Sequence, residues 1–211
     1  DYIFNPEVDE MYKGNPLTTV NLTGITDKLE GQIRPGHFTG VATVVTKLLN
    51  AVKPNNFYLG QKDAQQNAVL RKMISDLNID VNLIVCDTMR EENGLAMSSR
   101  NTYLNDDQKA KASVLYFLLN EGKRLITEEK LSDSKNIQEK IRNIFTKEVP
   151  EFDLQYFEIT DNRNLESIEN LNQFEGEILI SLAAKVGSTR LIDNIIFKKN
   201  LVQNGNKAIL R

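Results

Sequence analysis

FYLGQKDAQQNAVLRKMISDLNIDVNLIVC, residues 57–86, decides the fold. It opens on the short apolar run FYL, turns at Gly60-Gln61-Lys62-Asp63, and continues with Val69, Leu70, Met73, Ile74 and Leu77 at helical spacing. It closes on VNLIVC, a nearly all-apolar run of the kind buried on both faces of a parallel sheet. Asp63 and Gln66 match a capping box at the start of the helix. Strand, turn, helix, strand is the repeating unit of a layered α/β domain.

Upstream, IRPGHFTG (33–40) reads as a loop because of Pro35, Gly36 and Gly40. Thr39 is expected to cap a helix carrying Val41, Val44, Val45, Leu48, Leu49 and Val52 on one face, with Pro54 ending it. A short strand is expected at Thr18–Leu22. Downstream of Cys86 the pattern changes. Asn105-Asp-Asp-Gln108 is a second cap signal, followed by a long helix with Val114, Leu115, Leu118, Leu119, Leu125 and Ile126. A further helix carries Ile137, Ile141, Ile144 and Phe145, and three strand-like runs follow: LQYFEI, EILISLAA and RLIDNIIF. Helices followed by strands indicate a smaller α+β domain, with the boundary near 87–90.

Composition narrows the function classes. Over 211 residues, 40% are apolar and 26% charged, an ordinary globular balance. The net charge of −3 and pI near 5.4 argue against a general nucleic-acid or anionic-membrane surface. They leave room for a small anionic substrate, which needs only a few local cations. Cys86 is the single cysteine, sits in an apolar run and reads as buried; no internal disulfide can form, which points to the reducing cytoplasm. No stretch approaches the roughly 20 apolar residues of a membrane span. The opening DYIFNP reads like the middle of a protein, so the expectation is an incomplete chain.

Four short constellations carry chemistry, each with a plainer alternative. Gly60-Gln61-Lys62-Asp63 lies where a strand ends and a helix begins, the edge at which open α/β sheets bind ligands and helix N–H groups attract phosphate. It also reads as a capped tight turn with a solvated Lys. Gln65-Gln66 is the second, in which Gln66 either completes the capping box or reaches a small polar substrate. Arg34 and His37 sit in the Pro-Gly loop as structural or site residues, and His37 is the only histidine, which excludes a histidine metal cluster.

The fourth constellation is EENGLAMSSRN (91–101). Its Ser98 and Ser99 hydroxyls and the Arg100 fork suit phosphate oxygens, with Gly94 as the hinge of a closing loop. A polar surface turn accounts for it equally well. Ser98 as a covalent nucleophile is disfavoured, since no base accompanies it at a recognisable spacing. Arg90 and Glu91 read as an ion pair supporting the loop or, more simply, as two solvated charges. What strengthens all four is their common position at junctions around one α/β unit.

Taken in order, RPGHFTGVATVVTKLLNAVKP, FYLGQKDAQQ and REENGLAMSSRNTYL resemble the pantothenate synthetase (pantoate–β-alanine ligase) family of the HIGH-motif nucleotidyltransferase superfamily. FNPEVDEMY and GSTRLIDNIIF extend the likeness over residues 3 to 197. The resemblance implies a partial Rossmann-like nucleotide-binding domain at 1–88 and an α+β carboxy-terminal lid domain at 89–211. It assigns Gly60, Gln61, Lys62, Asp63, Met89, Met97, Ser98, Ser99 and Arg100 to an ATP site, with MSSR as the KMSKS-type loop. Lys62, Ser98 and Arg100 would carry the catalysis. Gln66 would bind pantoate, with Arg34 and His37 near the same cleft.

The implied reaction condenses pantoate with β-alanine through a pantoyl adenylate, using ATP and Mg²⁺ and releasing AMP and pyrophosphate. The family also implies a cytoplasmic homodimer, to which the apolar helix at 41–52 would contribute if it does not simply pack on the sheet. Ala64 replaces a Tyr found in many relatives. The family's amino-terminal segment, with its first strand, a His-containing ATP motif and a substrate-binding Gln, is not in this sequence. The expectation is therefore that the chain as given is inactive. Two other readings stay open, namely another nucleotidyltransferase of the superfamily and a non-catalytic binding protein that keeps the fold. Intact Lys62, Gln66, Ser98 and Arg100 weigh against the second.

Overall fold

The computed structural model describes residues 2–199; residue 1 and residues 200–211, the two ends of the expected domains, lie outside the described residues. In chain order the elements are α1 (Val8–Met11), α2 (Glu30–Ile33), α3 (His37–Val52), β1 (Asn56–Gly60), α4 (Ala64–Asp76) and β2 (Asn82–Cys86). There follow α5 (Asp106–Ala112), α6 (Val114–Thr127), α7 (Ser134–Glu148), β3 (Asp153–Asp161), β4 (Glu177–Val186) and β5 (Thr189–Lys198), with 3-10 turns at Ser99–Tyr103 and Leu171–Gln173. The fold is mixed α/β, as expected, with a parallel sheet followed by an antiparallel one.

β1 and β2 pair in parallel from Asn56↔Asn82 to Gly60↔Cys86. The helical faces read from sequence meet over them: Ala42 and Leu49 of α3 pack with Leu70 and Met73 of α4, and Phe57, Leu59 and Val81 join from the sheet. Burying Leu70 and Met73 contributes about 2 kcal/mol each. The other face of the pair is open, and this corrects the expectation of a strand buried on both sides. Tyr58, which alternation turns away from the helices, is 59% exposed, and Cys86 is exposed as well.

Three local expectations fail for identifiable reasons. Residues 18–22 form no strand; the Val20 N–H donates to the Thr43 hydroxyl at 2.9 Å instead of to a neighbouring strand. The helix expected from Thr39 begins at His37, after Gly36 in the left-handed region (φ 78°), and the Thr39 hydroxyl donates to Asn21. Asp63 is the N-cap residue of α4, but neither half of the expected capping box forms. The box at Asn105 and Gln108 does form. The long helix after it breaks at Ser113, whose hydroxyl donates back to the Ala110 carbonyl at 2.7 Å.

The three closing strands form one antiparallel sheet in the order β3-β4-β5, and α6 and α7 bury their apolar faces on it. Along β4 and β5, Ser181 opposes Asn194 and Leu182 opposes Asp193. The pairing of β3 with β4 slips between Leu154 and Tyr156. Such a bulge abolishes alternation locally, so the consecutive side chains Gln155 and Tyr156 reach the same polar network.

Candidate active site

A cavity of about 230 Å³ opens between the α4 end of the first sheet and the β3-β4-β5 sheet. Four segments far apart in sequence line it: Glu30, Arg34 and His37; Lys62 to Gln66; Ser98, Ser99 and Arg100; and Tyr156, Leu179, Ser181, Ile192, Asp193 and Asn194 from the second sheet. The sequence constellations GQKD with Gln66, Arg34 with His37, and the serine–arginine loop are thus brought to one place.

The GQKD turn presents unpartnered backbone N–H groups to the cavity, a geometry that suits an anion. Asp63 N donates to Gly60 O at 3.4 Å and Gln61 N donates to Cys86 O at 2.7 Å, which seats the turn on the ends of both strands. The first backbone bond of α4 comes from Asn67 N to Asp63 O, so among the described residues the N–H groups of Ala64, Gln65 and Gln66 are unpartnered. They carry the positive end of a 13-residue helix to the cavity wall. Lys62 faces the same space and makes no side-chain hydrogen bond or ion pair among the described residues. A Cβ added at Gly60 would meet nothing within 4 Å, so packing does not demand the glycine.

Facing the GQKD turn is the 3-10 turn at Ser99–Tyr103. Ser98 caps it, its Oγ accepting from Arg100 N at 3.2 Å. The exposed Arg100 guanidinium leans on the Arg190 carbonyl at 3.4 Å and keeps most of its donors for a ligand. Gly94, upstream, stands at φ 90°, so the loop's turn requires glycine there. Met89 and Met97 are joined by a 2.9 Å backbone bond, but their side chains are 71% and 55% exposed and do not line the cavity. Gly60 and Gln61 stand behind the turn rather than on the wall.

On the opposite side Arg34 Nη1 lies 3.0 Å from His37 Nε2. A guanidinium can only donate, so Nε2 accepts and the imidazole is neutral with its proton on Nδ1. Desolvation, reinforced by the Arg34 charge, holds His37 below the usual histidine value. Glu30 accepts from Tyr156 Oη at 2.8 Å and from Arg190 at 2.5 and 2.7 Å. Burial pushes its carboxyl up, but the hydrogen bonds from Arg190 and Tyr156 and the charge of Arg190 outweigh that and leave it below the ordinary carboxylate value.

Several wall residues escaped sequence reading. Glu30 and Tyr156 carried no motif, and Gln65, noted beside Gln66, had no role assigned. Gln65 is buried: it accepts from Glu30 N and donates to the carbonyls of Ile25 and Lys28. Ser181 Oγ is buried without a hydrogen-bond partner among the described residues, at the cavity wall. Asp193 and Asn194 did leave a trace, a polar pair inside the apolar run RLIDNIIF. Asp193 takes the Arg90 guanidinium at 2.6 and 3.0 Å, which corrects the expected Arg90–Glu91 pair; Glu91 instead accepts from Asn101. Burial pushes the Asp193 carboxyl up, against the pull of Arg90.

This arrangement, an open helix terminus facing a serine–arginine turn across a cavity walled by polar side chains, occurs in a chain with extensive relatives. Residues 1–196 match the family described as pantoate-beta-alanine ligase. A pantothenate synthetase from Caldicellulosiruptor saccharolyticus is 48% identical over 196 residues, covering 93% of this chain and 68% of the relative. One from Thermodesulfovibrio yellowstonii is 47% identical over 197 residues, with the same coverage.

Among solved structures, a pantothenate synthetase from Thermus thermophilus superposes with a TM-score of 0.82 at 37% identity, covering 92% of this chain and 69% of that one. A pantoate-beta-alanine ligase from Francisella tularensis, complexed with beta-gamma ATP and beta-alanine, gives 0.62 at 31% identity over 92% of this chain and 62% of that one. The motifs, the fold and these matches agree along almost the whole chain: it belongs to the pantoate–β-alanine ligase family.

Proposed function

We propose that the cavity is where ATP activates pantoate for condensation with β-alanine to pantothenate. The observation that carries this is the convergence of Lys62, the open amino terminus of α4 and the Ser98–Arg100 turn on one cavity that also holds Gln66. In the first step the pantoate carboxylate attacks the α-phosphorus of ATP, giving pantoyl adenylate and pyrophosphate. In the second, the amine of β-alanine attacks the acyl carbon and AMP leaves. Adenylation is largely a problem of charge and position, because a triphosphate must meet a carboxylate while negative charge grows on the leaving pyrophosphate.

Lys62, Arg100 and the Ser98 and Ser99 hydroxyls answer that charge, and Gly60, Gln61, Asp63, Met89 and Met97 complete the ATP site. Gln66 holds pantoate, with the Arg34–His37 pair beside it. No group of three His, Cys, Asp or Glu side chains able to hold a metal occurs among the described residues. Mg²⁺ would come in on the phosphates, and Asp63 on the cavity wall is the carboxylate that would face it; when bound, the ion would supply charge neutralisation. The reading includes a nucleotide-binding domain at 1–88, a lid domain at 89–211, and a cytoplasmic homodimer. No helix among the described residues is long and apolar enough to cross a membrane.

Pantoate-dependent ATP–pyrophosphate exchange tests the reading. In the intact enzyme, amino-terminal segment included, Lys62→Ala or Arg100→Ala is expected to slow exchange about 10²-fold, the scale for losing one transition-state donor. A rate within threefold of the parent removes the role given to that residue.

A further inference from the structure

We infer that Asp193 and Asn194, adjacent on β5, are positioning residues that hold the two halves of the nucleotide clamp, the GQK turn and the loop leading to Ser98, in fixed relation to each other. The inference rests on the proposed ATP site and assigns a task to two residues that contact its backbone rather than its reaction.

Asn194 is 4% exposed, and its amide is engaged entirely by the turn. Its Oδ1 accepts from Gln61 Nε2 at 2.8 Å, while its Nδ2 donates to Gln61 O at 3.1 Å and to Lys62 O at 2.8 Å. Two carbonyls and one amide donor converge on this side chain, and only a group with both N–H and C=O satisfies them. The peptide that carries Lys62 is thereby tied to the second sheet, and the aim of Lys62 and of the open α4 terminus is set from there.

Asp193 reaches the other half. It is 3% exposed, and its carboxylate accepts from both Arg90 terminal nitrogens and from Asn194 N at 2.8 Å. Arg90 Nη1 also donates to Gly94 O at 3.0 Å, and the guanidinium stacks on Tyr116 at 3.8 Å. A path of direct bonds therefore runs from Lys62 O through Asn194, Asp193 and Arg90 to Gly94. The pairing has an electrostatic purpose too. Asp193 lines the cavity, where a bare carboxylate would repel a phosphate, and Arg90 cancels that charge. A buried ion pair is a weak source of stability, and orientation is the use best suited to it.

Amide hydrogen exchange read by mass spectrometry tests this without requiring turnover. Asn194→Ala is expected to accelerate exchange at least tenfold in residues 61–63, and Asp193→Asn to do so in residues 91–98, with the α6 and α7 core unchanged. In steady-state assays of the intact enzyme both raise KM for ATP at least tenfold and leave KM for pantoate within threefold. Unchanged exchange in those two segments overturns the inference whatever the activity does. Accelerated exchange with an unchanged KM for ATP overturns it as well. An intact enzyme, amino-terminal ATP motif included, without pantoate-dependent pyrophosphate exchange would instead defeat the functional reading, and hydrogen exchange would still decide the positioning role. If Asn194→Ala does not fold, Asn194→Ser, whose hydroxyl is too short to span the same contacts, is held to the same outcomes.

Discussion

Arg190 grips Glu30 across 160 residues of sequence, its two terminal nitrogens 2.5 and 2.7 Å from the two carboxylate oxygens. Tyr156 donates to the same carboxylate, and Gln155 accepts from Arg190 Nε. The pair joins the segment before α3 to the second sheet, with Glu30 on the cavity wall. Both side chains are largely buried, at 17% and 11% exposure, so neither charge tolerates loss of the other.

Glu30→Gln should therefore destabilise the protein by about 3 kcal/mol near neutral pH, the cost of leaving the guanidinium unpaired. The Glu30 carboxyl lies below its ordinary value of 4.5 in the folded protein, so the unfolded chain binds the extra proton first as pH falls. The pair's contribution is complete above about pH 4.5 and fades as pH drops through the lower folded value. The stability difference between parent and variant, from urea unfolding at stepped pH, should shrink below pH 4.5; contributions of other groups, Asp193 included, cancel in that difference. A gap that stays constant down to pH 2 would refute the assignment.

Gln65 and Gln66 are adjacent amides with opposite duties. Gln65→Ala strips partners from three buried backbone groups and should cost about 2 to 3 kcal/mol. The Gln66 side chain makes no hydrogen bond among the described residues, so Gln66→Ala should stay within about 0.5 kcal/mol of the parent in stability. Its KM for pantoate should rise about tenfold, the worth of one good hydrogen bond. Equal stability losses for the two variants would contradict this division of labour.

Gly94 marks the base of the loop that leads to Ser98. At φ 90° an added Cβ would also meet the Tyr116 ring at 2.7 Å, and that ring is backed by Arg90. Gly94→Ala should cost about 2 kcal/mol, seen as a melting-temperature drop of roughly 4–8 °C. It should also slow pyrophosphate exchange, because Ser98 to Arg100 hang from this turn. A variant with parental melting and parental exchange would show that the loop's course does not depend on this backbone state.

The parts legible in the sequence were those set by local rules. Helical spacing located the helix bodies, continuous apolar runs located β1, β2 and the three closing strands, and the Asn105–Gln108 box formed as read. Local rules failed where a distant partner overrode them. Thr43 took the Val20 N–H expected to sit in a strand, and Asp193 took the Arg90 guanidinium from Glu91. The site followed the same division. Lys62, Gln65, Gln66, Ser98, Ser99 and Arg100 stood out as residue types at strand–helix and loop junctions, whereas Glu30, Tyr156 and Ser181 did not.

By itself, then, the sequence determined the layered α/β plan, the segments that line the cavity and the family, because periodicity, turn chemistry and short motifs act over a few residues. Only the tertiary structure decided which of two neighbouring glutamines is buried, which acid neutralises Arg90, and that β5 binds the GQK turn through Asn194. Those outcomes depend on burial, where every donor and acceptor must find a partner whatever its distance along the chain.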